Sequence, residues 1–65
     1  MNNDEFEGRW KQVKGQARAK WGELTDDDVQ QVEGDREALE GKIQQKYGMT
    51  KEEARKEVDT FLASS

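Results

Sequence analysis

The apolar residues of this chain recur every three or four positions, which is the spacing of one face of an α-helix. The first stripe comprises Phe6, Trp10, Val13, Ala17 and Trp21. On a helical wheel these side chains cover an arc of about 80°. The pattern predicts a first helix over residues 4–21, with Asn3 or Asp4 as its N-cap and Gly22 as a left-handed stop.

Two later positions carry a matching helix-start signal. Thr25 precedes Asp28 by three residues, and Thr50 precedes Glu53 by three, so each pair can form a capping box. The apolar pairs that flank the boxes as hydrophobic staples are Leu24 with Val29 and Met49 with Ala54. We therefore expect a helix to begin after each threonine.

The helices that follow the first one are predicted at roughly residues 26–33, 35–47 and 51–62. Gly34 is expected to interrupt the chain, Asp35 to cap the third helix and Gly48 to end it. The last helix is expected to bury Ala54, Val58 and either Phe61 or Leu62. One question stays open, because an apolar stripe continues in phase through Val29, Val32, Leu39, Ile43 and Tyr47. Helices two and three can be separate, or they can form one kinked rod. Tyr47, the last residue of this stripe, is expected in the core with its hydroxyl at the surface.

The chain also contains an internal duplication. A shift of 26 residues superimposes two glycine triplets, namely Gly8, Gly15, Gly22 and Gly34, Gly41, Gly48. Each half has too little apolar surface to fold alone, so the two helical hairpins are expected to pack on each other. The predicted fold class is all-α: one domain over residues 1–65, formed as a small bundle of about four helices in two α-hairpins that pack on each other.

Composition limits the chemistry that this chain can perform. It has no Cys, His or Pro, which removes thiolate chemistry, the commonest general base and the commonest transition-metal ligand. We expect no enzymatic activity, no cofactor and no metal site. The longest apolar run is Phe61–Ala63, so neither a membrane span nor a signal peptide is expected, and the cytoplasm is the expected compartment.

Three consecutive acids, Asp26, Asp27 and Asp28, open the second predicted helix. A calcium loop of the EF-hand type needs alternating oxygen ligands and a central glycine. Consecutive carboxylates at a helix start point in different directions, so interaction with the positive end of the helix dipole is the favoured interpretation.

One face of the first helix is basic. Lys11, Lys14 and Arg18 lie within about 60° of one another on a helical wheel, and we define them as the basic face. It can serve as a surface for an anionic partner. The net charge is −4, and residues 23–40 hold eight acids and one base, so a solvated or internally paired face is favoured. Nucleic acid is a disfavoured partner, no partner can be named, and a monomer is expected.

Gly8 and Gly15 lie inside the first predicted helix, where each costs roughly 1 kcal/mol relative to alanine. Three interpretations stay open. The glycines can form a smooth strip for a partner helix, they can lower helix stability so that the fold responds to water activity, or they can be inherited repeat sequence without a role.

Two stretches of the chain resemble the CsbD-like family of bacterial general stress proteins. The first is Trp10-Lys11-Gln12, Gly15 and the run from Trp21 to Asp28; the second is Glu33-Gly34, the run from Leu39 to Gln44 and Tyr47-Gly48, followed by Ala54 and Val58. The similarity covers about residues 3–60. It implies a cytoplasmic protein with an all-helical, SAM-domain-like fold of two crossed α-hairpins. It brings no enzymatic activity, cofactor or accepted mechanism.

The same resemblance suggests hydrophilin-like protection under osmotic or dehydration stress. The mean hydropathy of −1.29 and the charged fraction of 40% fit that description. The alternative is a folded interaction module that binds a protein or a nucleic acid through the basic face.

Overall fold

The chain folds into four helices. The structure, a computed structural model, describes residues 3–64, with side chains from Glu5 onward. The helices are α1 (Asn3–Lys20), α2 (Asp26–Val32), α3 (Arg36–Tyr47) and α4 (Lys51–Ser64), and no strand occurs within these residues. The predicted all-α class is confirmed, whereas the predicted N-cap of α1, Asn3 or Asp4, lies outside the described side chains.

Both predicted capping boxes are present. The hydroxyl of Thr25 accepts a hydrogen bond from the Asp28 N–H at 3.1 Å, and the Thr25 N–H donates to the Asp28 carboxylate at 3.0 Å. Thr50 and Glu53 make the same reciprocal pair at 3.1 and 2.9 Å. Each box satisfies backbone N–H groups that a helix start leaves without a partner, and such a cap stabilises a helix by about 1 kcal/mol.

The segment between α2 and α3 separates them into two helices. Gly34 has a φ of 83°, in the left-handed region that breaks a helix. The Asp35 carboxylate then caps α3 by accepting hydrogen bonds from the N–H groups of Glu37 and Ala38 at 3.0 and 3.3 Å. At the other end of α3, Gly48 has a φ of 65° and ends the helix as predicted.

The prediction of a left-handed stop at Gly22 is wrong. Among the described residues, only Gly34 and Gly48 have a positive φ. After α1 ends, the Trp21 N–H still donates to the carbonyl of Ala17 at 2.8 Å, and the Leu24 N–H donates to the carbonyl of Trp21 at 3.0 Å. This second bond closes a turn whose central residues need no left-handed backbone.

A single hydrophobic core joins the four helices. Its buried members are Phe6, Trp10, Val13, Ala17, Trp21, Leu24, Val29, Val32, Leu39, Ile43, Ala54, Val58, Phe61 and Leu62. The whole apolar stripe of α1 is buried as predicted, and α4 buries both Phe61 and Leu62 rather than one of them. The rings of Phe6 and Trp10 stack within α1, with centroids 5.6 Å apart. Trp21, one residue past the end of α1, has its ring centroid 4.9 Å from that of Phe61, and this contact joins α4 to the end of α1.

Tyr47 is not a core residue, contrary to the sequence prediction. Its exposure is 38%, whereas Trp21, which the predicted shift of 26 residues aligns with it, is 2% exposed. The Tyr47 hydroxyl accepts a hydrogen bond from the Glu23 N–H at 3.1 Å. At the last position of α3 the ring therefore reaches the turn between α1 and α2, where its polar end finds a partner, instead of entering the core.

Candidate interaction groove between α1 and α2

The basic face lies on the solvent side of α1. Lys11, Lys14 and Arg18 are all exposed. Because α1 is continuous and these residues are spaced three and four apart, they share one side of the helix. The structure thus places the three predicted residues on one surface, but only two of them border a groove.

That groove runs between α1 and α2 and has a volume of about 390 Å³. It is lined by Lys14, Gly15, Arg18, Asp26, Val29 and Gln30. Val29 belongs to the hydrophobic core and is almost fully buried, so only a small part of its side chain faces the groove, within a rim of polar residues. Lys11 is not among the lining residues.

The two cations of the groove have different partners. Arg18 forms an ion pair with Asp26 of α2, with side-chain exposures of 48% and 81%. Exposed pairs of this kind contribute about 0–1 kcal/mol. Among the side chains described from Glu5 onward, Lys14 takes part in no ion pair. The expected internal pairing of the basic face with the acids of residues 23–40 is therefore seen for Arg18.

Two acids of the run at the start of α2 have different partners: Asp26 pairs with Arg18 of α1, and Asp28 pairs with lysines of α3. The Asp28 carboxylate lies 3.3 Å from the Lys42 ammonium and 3.2 Å from the Lys46 ammonium. The Thr25 N–H, together with these two lysines, holds the pKa of Asp28 well below its ordinary value. Within the described part of the chain, no group of three or more acids is arranged to hold a metal ion.

The link from Asp28 to α3 is a contact that the sequence interpretation missed. Lys42 and Lys46 are four residues apart on α3, hence on one side of it, and they flank the buried Ile43. Two lysines four residues apart beside a core position were the signal in the sequence that could have indicated an ion-pair partner on a neighbouring helix. That signal could not identify Asp28 as the partner, because the pairing depends on how α2 packs against α3.

A second ion-pair network joins α3 to α4, outside the groove. The Arg36 guanidinium donates to Glu40 at 2.8 Å and also to Asp59. The hydrogen bond from Arg36 lowers the pKa of Asp59. The predicted shift of 26 residues aligns Arg36 with Trp10, which is a core aromatic residue. Arg36 instead forms a largely buried ion pair with Glu40, with side-chain exposures of 17% and 8%.

Comparison with known proteins identifies the family. A CsbD-like family match covers residues 4–56. A UPF0337 protein of Bordetella pertussis is 56% identical over 62 residues, which are 95% of this chain and 94% of that protein. The UPF0337 protein YjbJ of Escherichia coli is 54% identical over 61 residues, which are 94% of this chain and 88% of that protein. The chain belongs to the CsbD-like family, as its sequence resemblance indicated.

No solved structure matches the chain significantly. The SAM-domain-like form and the duplication of the two hairpins therefore stay predictions. Within residues 3–64, none of the helices combines the length and the apolar character that crossing a bilayer requires.

Proposed function

We propose that this protein is a non-enzymatic bacterial general stress protein, which protects other proteins under osmotic or dehydration stress through the surface of its folded domain. Membership of the CsbD-like family fits a stress role and brings no known catalytic activity. The cytoplasm is the compartment in which we expect it to act.

The observation that carries this proposal is the separation of apolar from charged side chains. Charged residues make up 40% of the chain. Among the described side chains, Tyr47 is the large apolar residue left exposed. A surface without a contiguous apolar patch has little tendency to adhere to other proteins. Such a molecule can be concentrated between other proteins without joining their aggregates.

Folding contributes to this property because it hides the adhesive part of the chain. The two tryptophans and Phe6, Leu39 and Phe61 are buried in the native state. An unfolded chain exposes these side chains to other partly unfolded proteins, and transiently exposed apolar surface promotes aggregation. The proposal therefore assigns protection to the folded protein, as a hydrated spacer that keeps other surfaces apart while water is removed.

The direct test is to dry and rehydrate a labile enzyme with this protein present. The control is an unrelated protein of equal mass and concentration. We expect more residual enzyme activity with the CsbD-like protein. Equal protection by the two proteins would show that added protein mass suffices, and the proposal would then be abandoned.

A second function is favoured by one specific observation, which is that two residues of the basic face line a groove. In this alternative the protein is a folded interaction module that binds a protein or a nucleic acid through Lys11, Lys14 and Arg18. The double substitution Lys14→Glu with Arg18→Glu should weaken binding strongly. For nucleic acid, affinity should fall steeply with salt concentration. Unchanged binding by the double variant would exclude the basic face.

A further inference from the structure

We propose that the groove between α1 and α2 binds a short acidic segment of a partner protein, in extended conformation, with two carboxylates separated by one residue. The proposal rests on the second function described above and narrows it in two ways. The binding surface is the groove, with Lys14 and Arg18, rather than the whole basic face. The partner is a protein with an acidic segment rather than a nucleic acid.

The charges of the groove favour an anionic ligand with two contact points. Lys14 is exposed and has no ion-pair partner among the described side chains, so its ammonium group can donate hydrogen bonds to a ligand carboxylate without breaking an existing pair. Arg18 holds Asp26 in an exposed pair, and such pairs are weak enough to exchange. The Asp26 carboxylate occupies the place at which a ligand carboxylate would contact the Arg18 guanidinium. Asp26 therefore competes with the ligand for Arg18.

The spacing of the two cations sets the spacing of the ligand's acids. Lys14 and Arg18 are four residues apart in one helix, which is about 6 Å along its axis. Side chains two residues apart in an extended peptide lie on the same side and about 7 Å apart. Two acids separated by one residue can therefore contact both cations at once.

The groove also leaves room for the backbone of such a ligand. Gly15 lies between the two cations in sequence. Apart from its two neighbours and the local helix backbone, no heavy atom stands within 4 Å of the place that a Cβ there would occupy. An extended chain can thus approach α1 closely. Its middle side chain then points away from α1, toward the wall that contains Val29 and Gln30. Val29 offers an apolar contact there, and the Gln30 amide can donate to or accept from the ligand backbone.

A nucleic acid fits this site less well than a peptide. Each strand of duplex DNA carries one charge for about every 3.4 Å of helix axis, so a nucleic acid that continues past Lys14 and Arg18 brings further phosphates close to the acids of this protein. Asp26 and Asp27 stand at the start of α2, and the net charge of the protein is −4. A short peptide with two carboxylates places its charges only where cations stand.

The test uses the full chain, labelled with nitrogen-15, and follows its amide resonances during titration. The probe is a capped nonapeptide of glycine and serine with aspartates at positions four and six. The matched control peptide has asparagine at both positions. We expect saturable shifts centred on Gly15 and Gln30 with the aspartate peptide, and none with the asparagine peptide.

Three exposed substitutions locate the binding site. Lys14→Glu should weaken binding of the aspartate peptide by about tenfold or more, because it replaces attraction by repulsion. Lys11→Glu is the matched control, with the same charge reversal on the same face outside the groove, and should change the affinity by about twofold or less. Asp26→Asn should tighten binding by about two- to fivefold, because it releases Arg18 from an exposed pair.

Each contrary outcome has a distinct meaning. Equal weakening by Lys11→Glu and Lys14→Glu would overturn the groove while keeping the basic face as the binding surface. Tighter binding of an oligo(dT) strand than of the peptide would overturn the partner class. Absence of binding by the aspartate peptide would overturn the groove as a site for acidic segments, whereas the second function would still be decided by its own test, the Lys14→Glu and Arg18→Glu double variant. Circular dichroism of each variant confirms that these exposed changes leave the fold intact.

Discussion

Three glycines lie inside helices at positions where the fold has no steric need for them. At Gly8 and Gly15 in α1 and at Gly41 in α3, no atom outside the local helix backbone stands within 4 Å of the Cβ that alanine would add. Their backbone φ values are not in the left-handed region. Replacement by alanine therefore meets neither a clash nor strain, and it removes the backbone entropy that glycine loses on folding.

The expected gain can be worked out from these facts. Each replacement should stabilise the folded state by about 0.5–1 kcal/mol. If the three sites are independent, the triple variant gains about 1.5–3 kcal/mol. At about 4–8 °C per kcal/mol for a domain of this size, Tm should rise by about 6–24 °C.

Thermal unfolding followed by circular dichroism measures this shift. Gly48→Ala is the matched control, because its Cβ also enters open space but its φ is 65°. There the same substitution should lower stability by about 1–2 kcal/mol, since alanine in the left-handed conformation is strained. A triple variant no more stable than wild type would refute the conclusion that these glycines lower helix stability. A rise in Tm for Gly48→Ala would refute the reasoning from backbone conformation.

Three further predictions concern single side chains. Leu39→Asp places a charge at a fully buried position, which should cost several kcal/mol and abolish the cooperative melting transition. Because the native state lowers the pKa of Asp28, chiefly through the Thr25 N–H, the stability from its ionised carboxylate is complete above the unfolded pKa of about 3.9. That contribution is lost as pH falls below this value. In urea unfolding between pH 2 and 6, the free energy of unfolding should therefore fall less on acidification for Asp28→Asn than for wild type. Tyr47→Phe removes the hydroxyl that accepts from the Glu23 N–H and should lower stability by about 0.5 kcal/mol in urea unfolding, because the bond is exposed.

The contrary results are equally specific. Cooperative melting of Leu39→Asp near the wild-type temperature would show that the assigned core is wrong. An unchanged acid profile in Asp28→Asn would mean that other carboxylates cause the acid sensitivity. Because Tyr47→Phe keeps the ring, a large loss of stability would show that the hydrogen bond from the Glu23 N–H contributes more than an exposed bond is expected to.

The features that could be predicted from sequence are those that depend on neighbours a few residues apart. The capping boxes at Thr25 and Thr50 require only an acid three residues later. The buried stripe of α1 follows from the helical period alone. Gly34 and Gly48 ended helices as expected, because glycine adopts the left-handed backbone without strain.

The features that sequence could not fix depend on how the helices pack. Asp28 meets Lys42 and Lys46 because α2 and α3 lie side by side. Tyr47 leaves the core because the end of α3 lies next to the turn at Glu23. The groove also depends on how the helices pack. Lys14 and Arg18 could be placed on one face, but their position opposite Val29 of α2 requires the packed structure.

The central claim is that protection resides in the folded surface rather than in composition alone. The most direct measurement is the residual activity of a labile enzyme dried and rehydrated with either wild type or Leu39→Asp at equal concentration. The two proteins differ by one residue and, if the core is as described, only wild type folds. The account predicts that wild type preserves more activity than Leu39→Asp. Equal protection by both, with circular dichroism showing the variant unfolded, would contradict it.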